Sequence, residues 1–161
     1  MPINPGMMSS DRDDWETPDD LFKSMDDLFH FGLDAAASHK NAKVAKHYTR
    51  EENGLLLPWN VNTWVNPPYG RQIPLWVEKA YMESNNNGVV VCMLMAARTD
   101  TIYFHRYVMR AWMIWFVKGR IRFVGAPGPA PFPSMLVFFD GSLIPGDYPM
   151  IYSCLPNGEL L

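Results

Sequence analysis

Residues 89–95 read Val-Val-Val-Cys-Met-Leu-Met, and this apolar run decides the fold class. A strand with one face in water alternates apolar and polar side chains, whereas an unbroken apolar run is typical of a strand covered on both faces. The sequence therefore predicts a central strand here, in a sheet with helices on both sides.

Upstream of this strand, residues 85–88 read Asn-Asn-Asn-Gly and predict a turn. A helix is expected to begin near Pro74, because proline suits the first helical turn. Its expected core contacts are Leu75, Trp76, Ala80 and Met82. Before that helix, residues 61–65 read as a buried strand that runs directly into residues 66–70.

Downstream, helical patterning covers residues 101–110, and residues 111–117 are expected to form another strand. A turn at Lys118-Gly119 leads into residues 120–124. Residues 125–133 carry proline at every second position from Pro127 to Pro133 and therefore predict a surface loop. Residues 135–139 are expected to be a last buried strand, and the tail from Asp140 has too many glycines and prolines to assign.

Near the N-terminus, residues 15–18 read Trp-Glu-Thr-Pro. Thr17 is expected to cap a helix and Pro18 to occupy its first position. Apolar residues then recur at helical spacing, at Leu21, Phe22, Met25, Leu28 and Phe29. Residues 31–33 predict a short strand that stops at Asp34, and the small residues 35–38 follow it.

The alternation of helices and apolar strands predicts one α/β domain with helices on both faces of its sheet. We expect a lead-in at residues 1–14, a domain at residues 15–140, and a tail at 141–161 that packs on the domain or extends it. Ligands of such folds bind beyond the carboxyl ends of the strands. Residues 34–38 and 66–69 should therefore share one rim.

The Asn66-Pro67-Pro68-Tyr69 peptide suits methylation of an amine. An amine on an aromatic ring is a poor nucleophile, and hydrogen-bond acceptors on its N–H groups stabilise the charge that develops during transfer. Asn66 offers a side-chain carbonyl and Pro67 a backbone carbonyl, while the two prolines stiffen the turn. Tyr69, expected to be exposed, offers a ring on which a base can stack. The tetrapeptide alone leaves open whether the amine belongs to adenine, cytosine or a protein glutamine.

Composition sets further limits. The net charge is −3, but residues 1–60 hold 11 acidic and 6 basic side chains and residues 61–161 hold 6 acidic and 8 basic ones. The basic residues at positions 98–122 are either a phosphate-binding face or ordinary solvated charges.

The longest apolar run is about half a membrane span, and no secretory signal opens the chain. We expect a soluble, cytoplasmic protein. The spacing of the histidines and cysteines gives no reason to expect a metal.

Several short motifs, taken in order, resemble those of the phage-type DNA N-6-adenine methyltransferases of the Dam class. They are residues 15–18, 33–37, 64–70, 97–101, 118–123 and 130–134. The resemblance spans about residues 15–140. It implies a Rossmann-like methyltransferase fold, S-adenosylmethionine as methyl donor, and adenine N6 of double-stranded DNA as acceptor.

The resemblance also implies roles for individual residues. The catalytic motif falls on Asn66, Pro67, Pro68 and Tyr69. Cofactor contacts fall on Trp15, Thr17, Pro18, Asp34, Ala35, Ala36 and Asn66, and Asp34 is placed to pair with the donor's ammonium group. Contacts to DNA phosphates fall on Arg98, Lys118, Arg120 and Arg122. Glu51 and Glu52 are the candidates to hold the donor's ribose.

A second hypothesis is a binding module that keeps the fold and has lost catalysis. The acidic net charge favours it, as does the absence of a Gly-x-Gly motif from residues 35–38.

Overall fold

A computed structural model describes residues 14–144, 146, 147 and 149–161. Apart from Asp14, the predicted lead-in at residues 1–14 lies outside the described residues. The helices are α1 (Asp19–Phe29), α2 (Ile73–Asn87) and α3 (Ile102–Arg106), and a single 3-10 turn follows at Val108–Arg110. The strands are β1 (Leu33–Asp34), β2 (Thr63–Val65), β3 (Val90–Ala96), β4 (Met113–Val117), β5 (Ser134–Asp140) and β6 (Met150–Cys154).

In the described part of the chain the strands form one six-stranded sheet in the order β1-β2-β3-β5-β4-β6. The pairs β1 with β2, β2 with β3, and β4 with β6 are parallel. Only β5 runs the other way, pairing antiparallel with β3 and with β4. The α/β class expected from residues 89–95 is therefore confirmed, and β3 is a buried central strand.

Helices cover both faces of the sheet because alternate strand residues point to opposite sides. On one face, Met93 and Val137 pack with Trp76 of α2 and Phe104 of α3. On the other, Leu94 and Phe138 pack with Leu21 and Met25 of α1. Each fully buried side chain of this size contributes about 1.5–3 kcal/mol, so the two layers stabilise the sheet from both sides.

Helix α1 begins one residue later than the sequence predicts, at Asp19. Pro18 is its N-cap residue, and no side chain caps it. The expectation that Thr17 caps the helix is therefore wrong, because the Thr17 hydroxyl contacts Asn66 instead.

Helix α2 is longer than predicted. It continues through the expected turn and ends at Gly88, whose φ of 63° is in the left-handed region that glycine tolerates. Trp76 and Ala80 are buried as expected, whereas Leu75 and Met82 are exposed, so those two core assignments are wrong. Both face solvent because the sheet covers only the opposite side of the helix.

Two other segments were left unassigned by the sequence. Residues 120–124, after the predicted turn at Lys118-Gly119, make one isolated bridge, Glu16 to Val124. The unassigned tail contains β6, which extends the sheet beside β4. Cys92 and Cys154 are buried thiols, and burial raises the pKa of Cys154 to about 11. Within the described residues, no helix combines the length and apolar character needed to span a bilayer.

Candidate active site

The parallel strands bring two predicted site segments to one edge of the sheet, as the sequence led us to expect. Asp34 at the end of β1 is in register with Trp64 of β2, and Ala35 donates its N–H to the Trp64 carbonyl at 3.0 Å. Asn66 follows β2 directly. Residues 34–36 and Asn66 thus lie on neighbouring strand ends, at what we call the carboxyl rim.

The Asn66 side chain is held by the segment that precedes α1. Its Nδ2 donates to the backbone carbonyl of Trp15 and to Thr17 Oγ1, the latter at 3.0 Å. Its Oδ1 is buried and makes no hydrogen bond to the described residues. Buried acceptors are nearly always paired in folded proteins, so this unsatisfied carbonyl is an unusual feature of the rim.

Tyr69 is buried, with 8% of its surface exposed. Its ring centroid lies 5.3 Å from that of Phe132 and 6.4 Å from that of Phe123, and Trp15 packs on both of these phenylalanines. We call Trp15, Phe123 and Phe132 the aromatic cover. The Tyr69 hydroxyl lies 3.4 Å from the Leu94 carbonyl oxygen, and burial raises the pKa of that hydroxyl.

The expectation that Tyr69 is exposed is therefore wrong. The physical reason is that apolar rings from three separate segments meet over it and exclude water. In the same turn, Pro67 is buried and Pro68 is exposed.

The sequence reasoning missed the phenylalanines of this cover. Phe132 stands in the Ala-Pro-Phe-Pro-Ser motif and Phe123 ends the Lys-Gly-Arg-Ile-Arg-Phe motif. The sequence predicts no functional role for either residue. An aromatic residue flanked by prolines in a loop was the available sign for Phe132.

Asp34 is buried at the rim, and its carboxylate organises the loop that follows β1. Oδ1 accepts the N–H of Ala36 at 3.4 Å and Oδ2 accepts the N–H of Lys43 at 3.0 Å. Burial raises the pKa of Asp34, and the two backbone hydrogen bonds and the charges of His47 and Lys43 oppose that effect. The carboxylate is therefore placed beside the small residues Ala35 and Ala36.

The Lys43 side chain ties this loop to the start of α1. Its Nζ lies 2.6 Å from Asp19 Oδ1 and 3.6 Å from Glu16 Oε1. The Glu16 carbonyl in turn accepts the N–H of Val124 at 3.0 Å. The segment carrying Trp15 and Thr17 is thus fastened on both sides while it contacts Asn66.

Ala35 is also packed against Gly54. A Cβ on Gly54 would lie 2.1 Å from the Ala35 carbonyl oxygen, a distance that backbone atoms must move to relieve. We expect Gly54→Ala to lower the free energy of unfolding by about 1–3 kcal/mol, as overpacking usually does. Thermal unfolding followed by circular dichroism measures this. Gly128→Ala is the control, because a Cβ there meets no atom within 4 Å; equal melting temperatures for the two variants would contradict the prediction.

The basic residues predicted to meet DNA lie near the rim but do not form one cluster with Asn66. Lys118, Arg120 and Arg122 are exposed and follow β4, whose carboxyl end lies at the same edge as those of β2 and β3. Arg98 is half-buried after β3. The four residues therefore extend along the rim.

Glu51 is exposed, and Glu52 accepts the N–H of Thr49 at 2.8 Å. That hydrogen bond, together with one to the Thr49 side chain, lowers the pKa of Glu52. The Glu52 carboxylate thus makes its hydrogen bonds within the turn that contains it.

No group of three or more His, Cys, Asp or Glu side chains among the described residues is arranged to hold a metal ion.

Two surface cavities, of about 300 and 220 Å³, lie away from Asn66. The first is lined by Pro18, Asp20, Arg122 and residues 155–157. The second lies near Arg110 and Asp140, at the opposite end of β5 from the rim. The aromatic cover is closed over Tyr69, and neither cavity opens onto it.

Comparison with known proteins assigns the family. Residues 6–138 match the DNA N-6-adenine-methyltransferase (Dam) family. The chain is 38% identical over 98 residues to a DNA N-6-adenine-methyltransferase of Escherichia phage T1, covering 58% of this chain and 40% of the phage protein. It is 33% identical over 119 residues to the DNA N-6-adenine-methyltransferase of Haemophilus phage HP1 (strain HP1c1), covering 71% of this chain and 68% of that protein. The chain thus spans less than half of the T1 protein and about two thirds of the HP1 protein. Because the family match extends over most of its length, the chain belongs to the Dam family of DNA N-6-adenine-methyltransferases.

Proposed function

We propose that this protein transfers a methyl group from S-adenosylmethionine to the N6 amine of adenine in double-stranded DNA. The observation that carries the proposal is the buried Asn66 Oδ1, which lacks a hydrogen-bond partner among the described residues. Leaving an acceptor in that state costs about 1–3 kcal/mol. A bound adenine amine would donate to this atom and remove that penalty.

Methyl transfer requires that the lone pair of the amine nitrogen points at the methyl carbon of the donor. S-adenosylmethionine supplies, when bound, an electrophilic methyl on a sulfonium. Asn66 Oδ1 accepts one N–H of the amine and stabilises the positive charge that grows on nitrogen as the new C–N bond forms and the C–S bond of the sulfonium breaks to leave a thioether. The methylated nitrogen then loses one proton to water. The hydrogen bonds from Asn66 Nδ2 to Trp15 and Thr17 hold this acceptor in place, so little reorganisation accompanies the transfer.

The adenine must leave the duplex to reach Asn66, because N6 is not accessible inside the stack. We propose that the extruded base stacks on Tyr69. Phe132 now packs on that ring at 5.3 Å, so Phe132 and its proline-rich loop must move aside first. The moved Phe132 would then offer a second aromatic wall to the base.

Residues at the rim suit the donor. The carboxylate of Asp34 attracts an ammonium group, and the neighbouring side chains of Ala35 and Ala36 are small. We assign cofactor contact to these residues and to the segment Trp15, Thr17 and Pro18, within a Rossmann-like fold. This assignment is supported by the buried carboxylate beside an unpartnered acceptor.

We further propose that Arg98, Lys118, Arg120 and Arg122 contact DNA phosphates. Their position along the rim supports this, since a duplex delivering a base to Tyr69 must pass over that edge. Residues 15–140 would form the methyltransferase domain, which acts in the cytoplasm, where the cell keeps both DNA and donor. Residues 141–161 would be a tail that extends the sheet through β6.

The direct test incubates the purified protein with radiolabelled S-adenosylmethionine and double-stranded DNA, followed by digestion to nucleosides. We expect the label in N6-methyladenine. Label in cytosine, or in protein alone, would refute the proposal. The second hypothesis, a binding module without catalysis, predicts no label at all, and a calorimetric titration that detects no donor binding would support it.

The pH dependence of donor binding provides a further prediction. Burial raises the pKa of Asp34 above its ordinary value of about 3.9, so the folded state favours the neutral acid. The free energy of unfolding therefore decreases as the pH rises from the pKa of Asp34 in the unfolded state to its higher pKa in the folded state. Above the folded-state pKa, Asp34 lowers the free energy of unfolding no further. Pairing with the donor's ammonium needs the carboxylate, so donor affinity should fall as the pH drops through the raised pKa.

Calorimetric titration of S-adenosylmethionine at a series of pH values below neutrality measures this effect. Asp34→Asn is the control and should bind weakly at every pH without the same slope. Because the charge of His47 acts on the Asp34 carboxylate, His47→Gln should be measured in parallel. A slope that persists in Asp34→Asn but disappears in His47→Gln would assign the effect to the histidine and contradict the prediction.

A further inference from the structure

The Thr17 hydroxyl makes a long-range contact in place of the helix cap that the sequence predicts. A threonine at the N-cap position accepts a hydrogen bond from the first helical turn, but in α1 the N-cap residue is Pro18. Here no side chain caps α1, and Thr17 Oγ1 instead lies 3.0 Å from Asn66 Nδ2. Thr17 is buried, with 3% of its surface exposed. The contact therefore joins two residues that are 49 positions apart in the sequence.

The two acceptors around Asn66 decide which end of its amide faces the site. The Trp15 carbonyl has no proton, so only the NH₂ end of the amide can face it favourably. Thr17 Oγ1 then receives the second N–H of the same group. With both amide protons engaged, the carbonyl oxygen is left as the end without a partner.

We propose that Thr17 is a positioning residue, which holds the Asn66 amide in the orientation that presents Oδ1 to the substrate amine. The inference rests on the proposed methylation of adenine N6, and it gives the Thr17 hydroxyl a role in addition to the donor contact proposed above for residues 15, 17 and 18. If the hydroxyl is removed, one amide proton has no acceptor and the side chain can rotate away from the Trp15 carbonyl. The NH₂ group would then compete with Oδ1 for the site, where it repels the N–H of the substrate.

The experiment compares Thr17→Val, which keeps the shape and removes the hydroxyl, with Thr17→Ser, which keeps the hydroxyl. Turnover, the KM for DNA, and the Kd of S-adenosylmethionine are measured for each. We expect Thr17→Val to lower kcat about tenfold, the effect of losing one hydrogen bond of ordinary strength, with KM and Kd changed less than about twofold. Thr17→Ser should restore most of the turnover.

A double-mutant cycle shows whether Thr17 acts through Asn66. In an Asn66→Ala background, Thr17→Val should have little further effect on kcat, because the side chain it positions is gone. Equal losses in both backgrounds would overturn the proposal. A loss confined to donor affinity would also overturn it and would leave Thr17 with the proposed cofactor contact alone.

A measurement without turnover separates this inference from the proposed function. In wild-type protein, NMR should show the two Asn66 side-chain amide protons, assigned by their absence in Asn66→Ala, as slowly exchanging with water. Thr17→Val should speed that exchange about tenfold, and Thr17→Ser should not. Fast exchange in the wild type would overturn the positioning role even if methylation occurs. Slow exchange in a protein that methylates no adenine would leave the amide geometry intact and reject the function.

Discussion

Asn66→Ala is expected to lower kcat by about 10²–10³-fold, the usual consequence of deleting one preorganised acceptor or donor at a reacting centre. The acceptor is preorganised because both N–H groups of the Asn66 amide are already engaged by Trp15 and Thr17. The affinity for S-adenosylmethionine should change much less than turnover, since the stabilised charge exists only during transfer. Single-turnover kinetics with labelled donor, combined with calorimetry, separates the two quantities.

The matched control is Asn86→Ala, an identical substitution at an exposed position of α2, which should retain wild-type turnover. Asn66→Asp adds a sharper comparison. It keeps an oxygen acceptor but has no N–H to donate, so one carboxylate oxygen would face the Trp15 carbonyl and be repelled. We expect Asn66→Asp to be as inactive as Asn66→Ala and less stable. Full activity in Asn66→Ala would show that Asn66 is not the acceptor. Full activity in Asn66→Asp would show that the N–H groups of the amide are not needed to hold the acceptor in place.

Tyr69→Ala is expected to impair both the fold and the reaction. Removing a buried aromatic ring lowers the free energy of unfolding by about 3–5 kcal/mol, because the rings of the aromatic cover lose their packing partner. Loss of base stacking should lower kcat/KM by a further 10–100-fold, corresponding to about 1–3 kcal/mol. Thermal unfolding gives the first quantity, and kinetics below the variant's melting temperature gives the second.

Tyr69→Phe distinguishes the ring from the hydroxyl. The hydroxyl makes one long hydrogen bond, 3.4 Å to the Leu94 carbonyl, whereas the ring makes the packing contacts. We therefore expect Tyr69→Phe to remain close to wild type in melting temperature and in kcat/KM. A large loss in Tyr69→Phe, together with normal stability, would indicate that the hydroxyl takes part in the chemistry and that stacking is not the main role.

The fold class could be predicted because its evidence is local. The apolar run at 89–95 differs from the structure by one residue at each end, since β3 covers Val90–Ala96. Strand β2 was placed correctly for the same reason, although it is shorter than expected. Strand β6 could not be predicted, because Met150 and Ile151 are exposed and the strand exists through pairing with β4 far away in the chain. A pattern of burial cannot identify a strand whose side chains are not buried.

In the candidate site too, features that depend on local sequence could be predicted, whereas features that depend on tertiary contacts could not. Neighbouring strand ends bring residues 34–36 and 66 together, as the parallel arrangement required. Local rules assigned the Thr17 hydroxyl to its own helix, whereas tertiary packing directs it to Asn66. The burial of Tyr69 was equally hidden, because the rings that cover it come from positions 15, 123 and 132. Contacts between segments so distant in sequence produce no hydrophobic periodicity within any one segment.

Strand β5 lies between β3 and β4 although it follows both in the chain. During synthesis on the ribosome, β3 and β4 therefore emerge before the strand that joins them exists, and their apolar edges stay open until residues 134–140 leave the exit tunnel. Such late, long-range closure slows folding and exposes strand edges to other chains. A nascent chain stalled before Ser134 should accordingly depend on chaperones to stay out of aggregates.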